Sequence, residues 1–149
     1  MKYKYTILVI DDDNILRKLY KLTLEKQGFK VHDAPNANKN FIETVINLRP
    51  DLISHDVINS PNGFTVLKLL KSNDQTKNIP FFFLTNNDND EQVKQAKKLG
   101  AAGYLVNSKI TPKELADTYI DFLMSKRNRF ICQNKNEKYM KKITSLLKI

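Results

Sequence analysis

The sequence predicts an α/β protein with a five-stranded parallel sheet covered by helices on both faces. Five short apolar runs recur along the chain, and stretches with helical apolar spacing separate them. Runs such as ILVI (7–10) and PFFFL (80–84) are apolar on both sides, as in strands that are buried on both faces. Because parallel neighbours need a crossover connection, the alternation of strands and helices favours a parallel sheet.

The predicted strands are YTILVI (5–10), FKVHDA (29–34), DLISHD (51–56), PFFFLT (80–85) and AAGYLV (101–106). Five βα units of this length fit a flavodoxin-like (βα)5 fold with strand order 2-1-3-4-5. The ligand crevice of that topology lies at the carboxyl ends of strands 1 and 3.

The predicted helices cover residues 13–27, 38–48, about 64 onward, 88–99 and 111–124. The first has Ile15, Leu16, Leu19 and Leu22 at helical spacing, followed by Gly28 where a helix ends. The fifth has the clearest start, because TPKE (111–114) combines an N-cap Thr, a Pro at the first helical position and a Glu that completes a capping box.

The length of 149 residues fits one domain, residues 1–124, followed by a tail, residues 125–149. The apolar run near the start is too short for a signal peptide or a membrane span, and no later run is long enough, so we expect a cytoplasmic protein. Cys132 is the only cysteine, which excludes an internal disulfide and a cysteine-rich zinc site. We expect its thiol to be exposed.

The net charge of +9 is concentrated in the tail. Residues 1–124 hold 17 Lys and Arg against 15 Asp and Glu, whereas residues 125–149 hold eight against the single Glu137. A basic amphipathic helix is one interpretation of the tail, since apolar residues recur there at helical spacing: Tyr139, Ile143, Leu146 and Leu147. The alternatives are packing against the domain, or binding to an acidic protein, a nucleic acid or an anionic membrane surface.

Acidic residues follow the predicted strands at one edge of the sheet. Asp11 and Asp12 end strand 1, Asp56 ends strand 3, and Thr85 ends strand 4. Three carboxylates around one pocket repel each other and form a hard-oxygen site of the kind that Mg²⁺ accepts. The alternative for each Asp alone is a turn or cap role, which we assign to Asp13 at the head of the first helix.

The chain resembles the receiver domain of bacterial two-component response regulators, including chemotaxis receivers, from about Lys4 to Met124. The motifs ILVIDDD, PDLISHDV, IPFFFLT and LGAAGYLV carry the resemblance in the family's order. It implies a phosphoacceptor aspartate, a Mg²⁺ site that includes a backbone carbonyl, and two switch residues. These roles fall on Asp56 as acceptor, on Asp11, Asp12, Asp56 and the Ile58 carbonyl as metal ligands, and on Thr85 and Tyr104 as the switch.

The chain departs from the family pattern near the same pocket. Asn107 stands where the family has a phosphate-binding Lys, and Lys109 is the candidate that reaches back in its place. The loop between Asp56 and Gly63 is one residue shorter than the common family loop. His55 precedes Asp56, and because successive strand residues face opposite sides, we expect it to be packed or hydrogen-bonded away from the pocket.

The resemblance implies a stand-alone receiver that takes a phosphoryl group from a sensor histidine kinase or a phosphotransfer protein. Its output would be contact with a downstream protein or a homodimer, with the strand-5 face near Tyr104 as the candidate surface. The chain would not be an enzyme beyond its own phosphorylation and dephosphorylation. The alternatives are a degenerate receiver that acts as a phosphorylation-independent adaptor, and a small phosphate-handling enzyme, for which a glycine-rich phosphate loop is missing.

Overall fold

The computed structural model of the protein describes residues 4–58, 61–125 and 129–132. Its helices and strands follow each other in the predicted order, with one addition at the end. The strands are β1 (Thr6–Ile10), β2 (Lys30–Ala34), β3 (Leu52–His55), β4 (Phe81–Thr85), β5 (Gly103–Val106) and β6 (Ile131–Cys132). The helices are α1 (Asn14–Lys26), α2 (Phe41–Leu48), α3 (Gly63–Lys71), α4 (Asp90–Lys98) and α5 (Pro112–Ser125).

The strands form one parallel sheet in the order β2-β1-β3-β4-β5-β6. The predicted flavodoxin-like order of the first five strands is confirmed. The sixth strand was not predicted: it lies in the segment assigned to the tail, pairs Ile131 with Gly103, and holds the half-buried Cys132, which we had expected to be exposed. The proposed amphipathic helix of the tail lies outside the described residues.

Each face of the sheet has its own apolar core, because neighbouring strand residues point to opposite sides. Phe81 and Phe83 belong to one core with side chains of α2, α3 and α4, while Phe82 belongs to the other with side chains of α1 and α5. The helices therefore cover both faces, and the carboxyl ends of the strands stay open between the two layers of helices.

The helix ends use the predicted caps. Asp13 accepts hydrogen bonds from the N–H groups of Ile15 and Leu16 at 3.0 and 3.1 Å. Thr111 and Glu114 form the reciprocal capping box, with N···O distances of 3.0 and 3.1 Å. These local bonds set where α1 and α5 begin.

Helix α1 leaves three of the four apolar residues that helped to predict it exposed; the fourth, Leu16, is half-buried against the core. Its buried residues are Tyr20 and Leu24, whereas the exposed fractions of Ile15, Leu19 and Leu22 are 80, 43 and 68%. The helical spacing was correct, but the apolar stripe lies on the solvent side. Among the described residues, no helix has both the length and the apolar character to cross a membrane.

Candidate functional site

Three carboxylates meet at the carboxyl edge of the sheet. Asp11 and Asp12 follow β1 and Asp56 follows β3, and one oxygen from each carboxylate lies within 4.8 Å of the others. Asp11 is buried, Asp56 is 9% exposed and Asp12 is exposed, so the cluster opens to solvent on one side. Because β1 and β3 are neighbours in register, the topology brings these residues together although they are 45 positions apart in the sequence.

The cluster concentrates negative charge at a buried position. Burial raises the pKa of the Asp11 carboxyl, and the carboxylates of Asp12 and Asp13 raise it further. A hydrogen bond from the Asp13 N–H at 2.9 Å and the guanidinium of Arg17 act in the opposite direction. Oxygen ligands that repel each other in this way fit a hard divalent cation such as Mg²⁺.

Arg17 is a site residue that the sequence analysis missed. Its Nη1 donates to the Asp11 carbonyl at 2.7 Å, and its Nε donates to Asp33 at the end of β2 at 2.9 Å. Lys21 adds a second cation 3.4 Å from Asp33. The available signal was a basic residue one helical turn after the N-cap Asp13, where it faces the strand ends. Arg17 thus ties α1 to two strands directly behind the cluster.

Thr85 ends β4 and is 3% exposed, next to the strand that carries Asp56. Its hydroxyl accepts a hydrogen bond from the Asn87 N–H at 3.2 Å. Tyr104 lies on β5, is 1% exposed, and its hydroxyl donates to the Asn87 carbonyl at 2.6 Å. Burial raises the pKa of Tyr104 to about 12, so its hydroxyl keeps its proton at neutral pH.

Asn107 begins a short 3-10 turn after β5. Its side chain hydrogen-bonds to the hydroxyl of Tyr20, whose pKa burial raises to about 12. Lys109 ends the same turn, and its Nζ lies 2.5 Å from Asp88 Oδ2 in the loop after β4. Asn107 is therefore a neutral amide bound to α1, and the nearest basic side chain in the sequence forms an ion pair with Asp88.

Ile58 is the last described residue before positions 59 and 60, and its side chain is 68% exposed. The role of its carbonyl as a metal ligand stays a prediction. His55 is packed and hydrogen-bonded, as expected: it is fully buried, and its Nδ1 lies 2.5 Å from the Asp56 carbonyl oxygen. Its ring edge is nevertheless close to the pocket, because Nδ1 is also 3.8 Å from Asp56 Oδ1.

The fold and the site define a parallel α/β protein with a carboxylate cluster at the carboxyl edge of its sheet and a buried Thr on the next strand. The chain belongs to the response regulator receiver domain family, which matches residues 7–119. Receiver domains are signalling modules of two-component systems.

Curated relatives agree with this assignment. The chain is 28% identical over 111 residues to the phosphate regulon transcriptional regulatory protein PhoB of Pseudomonas aeruginosa, covering 74% of this chain and 48% of PhoB. It is 34% identical over 100 residues to the DNA-binding dual master transcriptional regulator RpaA of Synechocystis, covering 66% of this chain and 41% of RpaA. The chain therefore spans about half or less of the length of these relatives.

Solved structures agree as well. The chemotaxis response regulator CheY4 of Vibrio cholerae superposes with a TM-score of 0.70 at 26% identity, covering 80% of this chain and 98% of CheY4. The fold predicted from the alternating strands and helices is thus confirmed by comparison with an experimental structure.

Proposed function

We propose that this receiver accepts a phosphoryl group on Asp56 in a Mg²⁺-dependent reaction and signals through protein contacts. The observation that carries the proposal is the placement of the Asp56 carboxylate beside those of Asp11 and Asp12, with the buried Thr85 on the neighbouring strand. Magnesium bound by Asp11, Asp12 and Asp56 would reduce the negative charge that an incoming phosphoryl group meets.

The proposed transfer follows from the residues present. A carboxylate oxygen of Asp56 attacks the phosphorus of a phosphohistidine; an acyl phosphate bond forms, the P–N bond breaks, and the histidine of the donor leaves and takes up a proton. The Thr85 hydroxyl lies at the same edge and now accepts from the Asn87 N–H, so its own hydrogen can be donated to a phosphoryl oxygen. A movement of Thr85 toward the phosphoryl group would then pass the modification on to the loop after β4 through Asn87.

The exposed stripe of α1 supports a protein as the phosphodonor. Ile15, Leu19 and Leu22 are exposed at helical spacing on α1, the helix that begins three residues after Asp11. We propose that the stripe contacts a histidine kinase or a phosphotransfer protein.

The test compares two variants. We expect Leu22→Ser to slow phosphoryl transfer from a phosphorylated kinase but to leave labelling by acetyl phosphate unchanged. The matched control is Leu69→Ser on α3, where Leu69 is 50% exposed. Equal kinase rates in the two variants would exclude this surface.

The test of phosphoacceptance is the thermal midpoint with Mg²⁺ and with Mg²⁺ plus beryllofluoride, a mimic of a phosphoryl group on Asp. A ligand that binds only the folded chain raises the midpoint by mass action. We expect beryllofluoride to raise the midpoint of the wild type but not of Asp56→Asn, which keeps the side-chain shape without the charge.

A wild type whose midpoint moves with neither Mg²⁺ nor beryllofluoride would support the alternative, a phosphorylation-independent adaptor. Asn107 is the observation in favour of that alternative, because it places an amide bound to Tyr20 where the family has a cation. The stand-alone arrangement, the downstream protein and the homodimer stay predictions, as do the binding partners of the basic tail.

A further inference from the structure

His55 occupies a position where an apolar residue would be expected. It is the last residue of β3, its side chain is fully buried, and its ring stacks on Phe81 with centroids 5.6 Å apart and planes 25° from parallel. A buried imidazole pays a desolvation penalty that a leucine of similar size would not. The hydrogen-bond partners of the two ring nitrogens should therefore explain why a histidine is buried here.

One nitrogen has a partner and the other does not. Nδ1 lies 2.5 Å from the carbonyl oxygen of Asp56, and because a carbonyl only accepts, Nδ1 carries the proton. Nε2 is buried and has no hydrogen-bond partner in the described part of the chain. The buried imidazole therefore has one unpaired acceptor, which is unfavourable, and one short hydrogen bond to the backbone of Asp56.

The first residue of α3 packs closely against the carbonyl that His55 binds. A Cβ on Gly63 would lie 2.5 Å from the Asp56 carbonyl oxygen and 3.2 Å from His55 Nδ1, so only a glycine permits this approach. The Gly63 N–H donates to the Val57 carbonyl at 3.0 Å, and the Asp56 N–H donates to the Ile10 carbonyl at 3.2 Å. The backbone on both sides of the Asp56 side chain is therefore tied to β1, β3 and α3.

We propose that His55 is a positioning residue for the carboxylate site: its Nδ1–H fixes the Asp56–Val57 peptide, and so the direction in which the Asp56 carboxylate points toward Asp11 and Asp12. The inference rests on the proposed function, because it concerns the same metal and phosphoryl site.

Three substitutions separate hydrogen bonding from packing. His55→Asn places an amide N–H where Nδ1–H lies, His55→Gln carries its amide farther from the backbone, and His55→Leu fills the space without a donor. Partners that orient metal ligands typically change affinity by about 10-fold or more when they are removed. We expect His55→Leu and His55→Gln to weaken Mg²⁺ binding by about 10-fold, and His55→Asn to stay within about threefold of the wild type.

The readouts are the dissociation constant of Mg²⁺ by calorimetry and the metal-free amide resonances of Asp56 and Val57. A purely structural role would change the thermal midpoint of the metal-free protein in proportion to the loss of binding. Positioning predicts instead that His55→Leu keeps or raises that midpoint while Mg²⁺ binding falls and the two resonances move.

Wild-type affinity in a folded His55→Leu variant would overturn the inference and leave the proposed metal site intact. If His55→Leu does not fold, equal affinities of the Asn and Gln variants would overturn it. A wild type that binds no Mg²⁺ contradicts the proposed function; the positioning role is then decided without metal, by whether the Asp56 and Val57 resonances move in His55→Gln and not in His55→Asn.

Discussion

Thr85 and Tyr104 bind the backbone of the same residue. The Thr85 hydroxyl accepts from the Asn87 N–H at 3.2 Å, and the Tyr104 hydroxyl donates to the Asn87 carbonyl at 2.6 Å. Gln92 extends the connection into α4, because its Oε1 accepts from Asn87 Nδ2 at 3.0 Å. Thr85 is therefore connected to a buried aromatic side chain on β5 through one residue, and this connection supports the switch role proposed for this pair.

Removal of the Thr85 hydroxyl should loosen this connection. We expect Thr85→Val, which keeps the shape, to cost about 1 kcal/mol of local stability, the typical net value of one hydrogen bond. Hydrogen exchange of the Asn87 amide should then be about fivefold faster. Thr85→Ser keeps the hydroxyl and should exchange like the wild type; equal rates in the wild type and Thr85→Val would contradict the connection.

The carboxylate cluster should be a source of instability when no cation is bound. Asp12 is the exposed member, and its charge contributes to the raised pKa of Asp11. We expect Asp12→Asn to raise the free energy of unfolding by about 1 kcal/mol in a chelator, because it removes repulsion between close carboxylates.

Urea unfolding at pH 7 measures this change, and the matched control is Asp117→Asn, an exposed aspartate on α5. A loss of stability in Asp12→Asn, or an equal gain in the control, would show that repulsion in the cluster is not the cause. Addition of Mg²⁺ should then stabilise the wild type more than Asp12→Asn.

Stability should fall with acid because of His55. Burial lowers the pKa of His55 to about 4 in the folded chain, whereas an unfolded histidine has a pKa of about 6.5. Between these values the unfolded chain binds more protons, so its free energy falls relative to the folded chain as the pH drops. The shift corresponds to about 3 kcal/mol, lost between about pH 6.5 and pH 4.

The measurement is the difference in unfolding free energy between the wild type and His55→Leu in a chelator from pH 7 to pH 4. The difference removes the opposite contribution of Asp11, whose raised pKa favours the folded chain in acid. A difference that stays constant with pH would exclude a buried neutral His55.

The sixth strand should be removable without loss of the rest of the fold. The Ile131 N–H donates to the Ala102 carbonyl at 3.0 Å, and the Ile131 carbonyl approaches so closely that a Cβ on Gly103 would lie 2.5 Å from it. Proline at 131 removes the donor, so we expect Ile131→Pro to release β6 from β5.

The single cysteine gives a direct readout, because Cys132 is half-buried in this strand. Ile131→Pro should react with a thiol reagent at least about 10-fold faster than the wild type, since reactivity follows exposure of the thiolate. Ile131→Val keeps the N–H and should react like the wild type. Unchanged reactivity in the proline variant would mean that β6 does not protect the thiol.

The central strands and the carboxylate cluster could be predicted from local patterns. An apolar run predicts a buried strand, and a polar residue directly after it predicts a side chain at the carboxyl edge of the sheet. PFFFLT is apolar on both faces and becomes a central strand, and its Thr85 then has to lie at the carboxyl edge. Parallel order carries Asp11 and Asp56 to that same edge. Which side of a helix is buried depends on contacts with distant segments. Helix α1 buries Tyr20 rather than Leu22, because the sheet packs against the face that carries Tyr20.

The sequence by itself determined the parallel fold and the meeting of three carboxylates at one edge of the sheet, since apolar periodicity and the position of polar residues at strand ends specify both. Only the tertiary structure decided the pairing of β6, the exposed stripe on α1 and the bond from His55 to the Asp56 carbonyl. Each of these depends on a contact between segments or on the orientation of a ring, and a pattern of residue types along the chain specifies neither.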